Sequence, residues 1–273
     1  MNEQTVRGME SVYPMPSPGR TNPPRDNGLT MVIDMGSGLI STRDLLEFAG
    51  NYIDIFKLSS GTMALYSEKT LQEKINIIRS FGIEIEAGGS HFEVANWKGK
   101  STEYFKKLLE IGVQVVEIAD GHLPLTDTVR LDRIKEAKDL GLKVATEIGK
   151  KEPSKNIKAL TILEQFHDDI EAGSDYIIIE GKASGIDVGI FDEKGTINET
   201  ELNEIIRGIA NLDKVIWEAP LRPQQQALIM RFGPNVNLGN IFPQEVYPLE
   251  LMRNGLMLMP LIESYNREMG GKR

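Results

Sequence analysis

The sequence predicts an α/β protein that folds as a single (β/α)8 barrel of the TIM type, and three observations favour this fold. Eight short apolar runs alternate with segments that carry apolar residues at helical spacing, as parallel strands joined by helices do. The chain has 273 residues, a usual length for one such barrel. The alternative is an open doubly wound sheet, but no G-x-G-x-x-G fingerprint follows the first predicted strand.

The barrel is predicted over residues 29–273, after a mobile lead-in over residues 1–28 in which five prolines interrupt regular structure. The predicted strands cover residues 30–35, 53–58, 83–87, 114–118, 143–148, 176–180, 214–219 and 235–238. The predicted helices cover residues 68–81, 102–111, 127–140, 160–172, 199–211, 223–232 and 242–256. Glycines stand where helix C-caps are expected, at Gly82, Gly112, Gly141, Gly173 and Gly233.

The formal net charge of −9 and the absence of cysteine exclude several classes of function. Binding to nucleic acid or to an anionic membrane surface requires clustered Lys and Arg, and the sequence has no such basic run. Without cysteine there is no disulfide, thiolate nucleophile or zinc–thiolate site. No apolar run reaches the roughly 18 residues that span a bilayer, and the lead-in lacks a signal-peptide pattern. We therefore expect a cytoplasmic protein that binds small molecules.

Charged and amide side chains lie at or just after the ends of the predicted strands, where α/β barrels carry their chemistry. They are Asp34, Lys57, Glu93, Glu117, Asp120, Glu147, Lys150, Lys151, Glu180, Lys182, Glu218, Asn237 and Asn240. A single charge at a strand end is usually the solvated start of a loop. Repetition on most strands predicts a functional cluster, because converging carboxylates need a counter-charge. With oxygen ligands and no cysteine, Mg²⁺ or Mn²⁺ is favoured over zinc.

Two histidines and the eighth predicted strand give weaker signals. His91 and His122 are predicted on the loops after strands three and four, where either could act as an acid or base, although a loop histidine is more often a polar bystander. Small and amide residues surround the eighth strand over residues 233–241. The loop after strand eight often binds phosphate in barrels, so Asn237 and Asn240 are candidate phosphate ligands.

Seven segments follow one another in the order of a known enzyme family. They are Asp54-Ile-Phe-Lys-Leu-Ser-Ser-Gly-Thr, Gly88-Gly-Ser-His-Phe-Glu, Val116-Glu-Ile-Ala-Asp-Gly, Thr146-Glu-Ile-Gly-Lys-Lys, Ile179-Glu-Gly-Lys-Ala-Ser-Gly, Trp217-Glu-Ala-Pro and Val236-Asn-Leu-Gly-Asn-Ile. These segments resemble the motifs of phosphosulfolactate synthases, which read D-x-x-K-F-G-W-G-T-S, G-G-T-L-F-E, V-E-I-S-D-G, T-E-V-G-K-K and I-E-G-R-E-S-G over the first five. The resemblance runs from about residue 28 to residue 256.

The resemblance implies a barrel enzyme, usually a homo-oligomer, that adds sulfite to phosphoenolpyruvate with Mg²⁺ as cofactor. The product is (2R)-3-phosphosulfolactate, an early precursor of coenzyme M, and the enzyme would be a carbon–sulfur lyase or synthase. Glu147, Glu180 and Glu218 would bind the metal, and Glu147, Lys150 and Lys151 would be catalytic. The substrate-binding residues would be Lys57, Lys182, Asn237, Asn240 and Arg25. The alternative is a stress-associated relative that is a binding or protective protein without turnover.

The sequence departs from the family pattern at positions that bear on substrate binding. The family has Arg where Lys182 and Met257 stand, and an aromatic residue and a glycine where Leu58 to Ser60 stand. Lys182 keeps a positive charge but not the bidentate fork of a guanidinium group. The substitutions therefore predict weak use of phosphoenolpyruvate or a less highly charged acid as substrate, unless Arg222, Arg20 or Arg25 compensates.

Overall fold

The computed structural model describes residues 8–150 and 158–270, and its eight parallel strands close into a barrel. Neighbours along the chain pair in order, and β1 pairs with β8. The strands are β1 (Thr30–Asp34), β2 (Ile55–Leu58), β3 (Glu84–Ala87), β4 (Val115–Ile118), β5 (Lys143–Ile148), β6 (Tyr176–Ile179), β7 (Val215–Glu218) and β8 (Leu238–Ile241). The predicted (β/α)8 barrel is confirmed, and the open sheet is excluded.

The helices lie outside the barrel, and the sequence predicted most of them. They are α1 (Leu39–Ala49), α2 (Glu68–Ser80), α3 (Gly89–Trp97), α4 (Ser101–Ile111), α5 (Asp127–Asp139), α6 (Ala159–Ala172), α7 (Glu199–Gly208), α8 (Arg222–Phe232), α9 (Val246–Arg253) and α10 (Leu258–Gly270). Helices α1, α3 and α10 were not predicted. Because α3 begins at Gly89, His91 lies on a helix and not on a loop, and that prediction is wrong. Within the two described ranges, no helix is long and apolar enough to cross a bilayer.

The eighth strand lies three residues later than predicted, and a glycine inside the barrel explains the difference. A Cβ atom at Gly239 would lie 2.5 Å from Cε of Met31 and 2.9 Å from Cγ2 of Ile216, so β8 has room only for hydrogen at this position. Gly and Asn have low strand propensity, and the sequence pattern therefore placed 239 and 240 in a loop. As a result Asn237 precedes β8, whereas Asn240 lies within it.

The hydrophobic core has two layers, one between strands and helices and one inside the barrel. The inner layer contains Leu29, Met31, Ile55, Val115, Ala145, Ile178 and Ile216, all at most 3% exposed. Burying one such Ile or Leu side chain stabilises the fold by roughly 1.5–3 kcal/mol. This layer fills the amino-terminal half of the barrel, so that any open space inside lies toward the carboxyl ends of the strands.

The amino-terminal end of the barrel is covered by the chain that precedes β1. Arg20 donates to Glu250 of α9 at 3.1 Å, and Arg25 donates to Asp54, just before β2, at 2.8 Å. Asn237 accepts from the backbone N–H of Leu29 at 2.9 Å and donates to backbone carbonyls before and within β7. These contacts place Arg25 and Asn237 at the end opposite to the strand-end charges. Their polar groups are used there to hold the barrel's base, at the end away from the predicted substrate site.

Candidate active site at the carboxyl ends of the strands

The alternation of side chains along the strands places a charged layer directly above the inner apolar layer. Residues two positions apart on a strand face the same side of the sheet. On five strands an inner apolar residue is followed two positions later by a charged one, as in Ile55 and Lys57, Val115 and Glu117, Ala145 and Glu147, Ile178 and Glu180, and Ile216 and Glu218. Glu86 on β3 joins this layer, and its six side chains are at most 4% exposed.

Lys57 is the central cation of this layer. Its Nζ contacts a carboxylate oxygen of Glu117 and lies 3.0 Å from Glu218, 3.8 Å from Glu86 and 4.0 Å from Glu147. Burial by itself would lower the pKa of Lys57, but the attraction of these four carboxylates outweighs burial and raises the pKa well above its ordinary value. Lys57 therefore keeps its positive charge and offsets part of the negative charge of the acidic layer. It lines the pocket, but its charge is directed at protein carboxylates.

Glu86 is the carboxyl group of the layer that burial affects most clearly. Desolvation raises the pKa of Glu86 well above its usual range, Lys57 opposes this, and the nearby Glu117 adds to it. Glu86 therefore favours the neutral form, which lowers the repulsion inside the barrel. No role was predicted for Glu86, although its two-residue spacing from Glu84 on a buried strand was the available signal.

Three carboxylates converge at the ends of β5, β6 and β7. One oxygen each of Glu147, Glu180 and Glu218 lies within 4.8 Å of the others. Two glycines make this approach possible: a Cβ at Gly149 would lie 2.5 Å from Cβ of Glu180, and a Cβ at Gly181 would lie 2.3 Å from the backbone oxygen of Glu218. Oxygen ligands at this separation, with Lys57 beside two of them, suit a hard divalent cation. The predicted metal-binding triad is thus brought together.

A pocket of about 370 Å³ opens above this layer. The charged layer apart from Glu86 forms its floor, and the other lining residues are Ile33, Met35, Ser59, Ser60, Gly89, Ser90, His122, Lys182, Ala183, Ser184 and Asn240. Asn240 donates through Nδ2 to the backbone oxygen of Lys182 at 3.3 Å, and its Oδ1 is buried without a partner in the described part of the chain. Lys182 and Asn240 both have positive φ angles, 54° and 52°. The predicted substrate residues Lys182 and Asn240 therefore do share one pocket with the triad.

Lys150 lies at the same end of the barrel but is turned toward β4. Its Nζ donates to the backbone oxygen of Asp120 at 3.0 Å and contacts the carboxylate of Asp120. Lys150 is not among the residues that line the pocket. The second predicted catalytic lysine, Lys151, lies outside the described residues, so its predicted role stays a prediction.

A buried arginine for which no role was predicted supports the backbone of Glu147. Arg130 on α5 donates to Asp169 on α6 at 2.6–3.0 Å and to the backbone oxygen of Glu147 at 3.1 Å. Burial opposes the charge of Arg130, but the bonds and attraction of Asp169 outweigh it and raise the pKa of the guanidinium group. Arg130 thereby fixes the end of β5, from which Glu147 reaches the triad.

The loop between β6 and α7 is fastened over the pocket by one buried glutamine. Gln224 of α8 donates through Nε2 to the backbone oxygens of Gly185 at 2.6 Å and Gly195 at 3.1 Å, and its Oε1 accepts from the N–H of Leu221 at 3.1 Å. The side chain is only 1% exposed. Because Lys182 lies at the start of this loop, Gln224 helps to hold Lys182 in the pocket.

His122 lies on the loop after β4, as predicted, and a glutamate fixes its ring. Nδ1 of His122 is 3.0 Å from Oε2 of Glu93, and Oε1 of Glu93 accepts from the backbone N–H groups of His122 and Leu123. Glu93 belongs to α3 and is buried, whereas the His122 side chain is 52% exposed and lines the pocket.

Asp34, another predicted strand-end charge, is bound by the fully buried Lys74 at 2.6 Å and has a structural role.

Comparison with solved structures identifies similar barrels. The chain superposes on 3-hexulose-6-phosphate synthase from Salmonella typhimurium with a TM-score of 0.54 at 11% identity, over 82% of this chain and 99% of that one. Phosphonopyruvate hydrolase gives a TM-score of 0.54 at 14% identity, over 91% of this chain and 85% of that one. At this level of identity the similarity shows the fold alone.

Comparison of sequences identifies the family. The profile of (2R)-phospho-3-sulfolactate synthase (ComA) matches residues 18–258. Phosphosulfolactate synthase of Methanocaldococcus jannaschii is 42% identical over 232 residues, which cover 84% of this chain and 92% of that enzyme. Phosphosulfolactate synthase of Methanothermobacter thermautotrophicus is 38% identical over 242 residues, which cover 88% of this chain and 93% of that enzyme. The chain therefore belongs to the (2R)-phospho-3-sulfolactate synthase family.

Proposed function

We propose that the protein adds sulfite to phosphoenolpyruvate to give (2R)-3-phosphosulfolactate, with Mg²⁺ as cofactor. One observation carries the proposal: the family match over residues 18–258 includes every strand end that forms the pocket. The charged pocket also supports a small anionic substrate over a macromolecule. In this role the enzyme is a carbon–sulfur lyase that acts early in coenzyme M synthesis.

The reaction consists of an addition followed by a protonation. The lone pair of the sulfite sulfur forms a bond to C3 of phosphoenolpyruvate, and the electrons of the double bond move to C2 and its carboxylate. A proton is then added at C2. We assign the role of proton donor to Lys150 or Lys151, which follow the catalytic Glu147 at the end of the same strand. The carboxylate of Asp120 binds Nζ of Lys150, so Lys150 must leave Asp120 to reach the pocket.

Glu147, Glu180 and Glu218 would hold the Mg²⁺ ion. The bound ion would supply positive charge next to the substrate carboxylate, where negative charge builds up during the addition. The protein's own contribution is a rigid set of oxygen ligands, which Gly149, Gly181 and Arg130 keep in place. Lys57 stabilises the triad's negative charge from below.

We assign the phosphate end of the substrate to Lys182 and Asn240. Lys182 brings a positive charge into the pocket, and its Nζ donates to the backbone oxygen of Asp187 at 3.2 Å. The amide group of Asn240 lies next to the backbone of Lys182 and can donate to a phosphate oxygen.

Purified protein incubated with phosphoenolpyruvate, sulfite and MgCl₂ tests this function. We expect a phosphorus NMR signal of an alkyl phosphate to replace that of phosphoenolpyruvate, and EDTA to stop the reaction. Glu180→Gln is the matched control, because it removes one ligand charge without changing the size of the side chain. Absence of product at saturating substrates would reject the proposal and favour the binding or protective protein without turnover.

We also propose that the protein forms a homo-oligomer. Several apolar side chains on α10 are half exposed, among them Leu261 at 43%, Ile262 at 50% and Tyr265 at 61%. A neighbouring set of exposed apolar side chains on one helix is typical of an interface. Light scattering after size exclusion measures the mass, and a mass of 30.5 kDa would contradict the proposal.

A further inference from the structure

The substitution of the family arginine by Lys182 raises the question of which other cation faces the pocket. None of the three arginines named above as compensating candidates lines the pocket. Arg222 donates to Glu245 at 2.9 Å through two nitrogens, and Arg20 and Arg25 are ion-paired at the opposite end of the barrel. Met257, the second lost arginine position, lies between α9 and α10 outside the barrel and is not a pocket residue.

His122 is the pocket residue whose geometry fits this role. Its Nδ1 is 3.0 Å from Glu93, so the ring donates to that carboxylate, and Nε2 is the nitrogen left to face the pocket. Among the described residues, no hydrogen bond or ion pair involves Nε2. Lys57, in comparison, is surrounded by four carboxylates, and Lys150 is bound by Asp120.

We infer that His122 binds an oxyanion of the substrates through Nε2, either the phosphate of phosphoenolpyruvate or the incoming sulfite. This inference rests on the proposed function and adds a specificity residue to it. When the ring carries its second proton, Nε2–H donates a charge-assisted hydrogen bond to the anion. His122 thus shares the negative charge of the substrates with Lys182, which lines the same pocket.

Glu93 is the positioning residue for this contact. Its two oxygens bind the ring and two successive backbone N–H groups, so one buried carboxylate fixes both the loop and the direction of the imidazole. The segment Gly88-Gly-Ser-His-Phe-Glu therefore contributes to the pocket twice, through Gly89 and Ser90 in its wall and through Glu93 behind His122.

Steady-state kinetics of His122→Asn test the inference. Asn retains a short donor that can reach Glu93, and so keeps the loop in place. The matched control is His167→Asn, since His167 is exposed on α6, away from the pocket. Loss of one charge-assisted bond should raise KM about ten- to a hundredfold. A rise in KM for sulfite alone identifies sulfite as the anion, and a rise for phosphoenolpyruvate alone identifies its phosphate. Unchanged KM values for both substrates would overturn the inference.

A double-mutant cycle of Glu93 and His122 distinguishes the positioning of the His122 ring by Glu93 from a general disturbance of the pocket. Glu93→Gln should raise the same KM as His122→Asn, and the double variant should be no worse than His122→Asn alone, because Glu93 acts through the ring. Additive effects would overturn the role of Glu93.

Binding of inorganic anions tests His122 independently of turnover. The chain has three histidines, so the ring signals of His122 in proton–carbon NMR spectra are assigned by their loss in His122→Asn. Added inorganic phosphate or sulfite should shift the His122 signals and leave those of His167 unchanged. If the wild-type protein makes no product but the His122 signals shift, the proposed reaction fails while the anion site stands. If His122 shifts no more than His167, the anion site is rejected.

Discussion

Replacing Lys57 by Met tests the idea that one ammonium group holds the acidic layer together. Met has a similar length and no charge, so the change leaves Glu86, Glu117, Glu147 and Glu218 without their shared cation. Removing one partner of a buried ion pair costs roughly 3–5 kcal/mol. For a domain near this size each kcal/mol lowers the unfolding midpoint by about 2–4 °C, so the expected loss is about 6–20 °C.

The dependence of this loss on pH follows from the direction of the carboxyl pKa values. Burial raises the pKa of Glu86 above its value in the unfolded chain, and Lys57 opposes this rise, so the folded variant has a Glu86 whose pKa is raised further. A group with a raised folded pKa contributes stability below its unfolded pKa and loses that contribution as pH rises through the folded pKa. The difference in midpoint between variant and wild type should therefore be largest near pH 8 and smaller near pH 5.5.

Thermal unfolding followed by circular dichroism in EDTA measures this difference. Lys107→Met is the matched control, because Lys107 pairs with Glu110 on the exposed face of α4 and should leave the midpoint unchanged. Added MgCl₂ should restore part of the stability of the Lys57 variant. A variant that unfolds like the wild type at pH 8, or a difference that grows toward pH 5.5, would refute the reasoning.

Three further predictions concern metal, substrate and loop. Glu180→Gln should weaken the binding of Mg²⁺ at least about tenfold in calorimetry, since one carboxylate charge is lost; unchanged affinity would place the metal elsewhere. Lys182→Arg should lower KM for phosphoenolpyruvate severalfold, because a guanidinium group donates two parallel bonds to phosphate; an equal or higher KM contradicts this. Gln224→Met leaves the carbonyls of Gly185 and Gly195 without their donor, and should destabilise the protein by about 1–3 kcal/mol; hydrogen exchange over residues 181–198 should accelerate, and unchanged exchange contradicts the role.

The pattern of apolar and charged residues along the chain predicted the barrel and the triad well, because both follow from the length and side-chain alternation of single strands. Strand length and alternation determined where β5 and β6 end, and parallel closure then required Glu147, Glu180 and Glu218 to meet at one end. The triad's distances confirm that the three carboxylates meet. The same reasoning failed at β8, where Gly239 and Asn240 are typical loop residues but form the strand, since the crowded interior requires a glycine.

Ion pairs between residues far apart in the sequence could not be predicted from the residue pattern. Arg25 was expected at the substrate because it is a cation in a lead-in, but its partner Asp54 is at the opposite end of the barrel. Arg130 and Asp169 belong to different helices, and neither has a neighbour in sequence that indicates the pair. Lys57 was predicted to bind substrate, and it lines the pocket, but only the assembled layer shows that its charge is matched by protein carboxylates.

The covering of the barrel's base has a consequence for how the molecule is made. Arg20 and Glu250 are 230 positions apart along the chain, and the sheet closes through pairing of Thr30 with Leu238. A growing polypeptide leaves the ribosome at about 5–20 residues per second, so the early segment waits on the order of ten seconds or more for these partners. During that time β1 has an unpaired edge, which is open to association with other chains. Completion of the barrel is thus a late event in biosynthesis, and chaperone depletion should reduce the yield of folded protein more than its rate of synthesis.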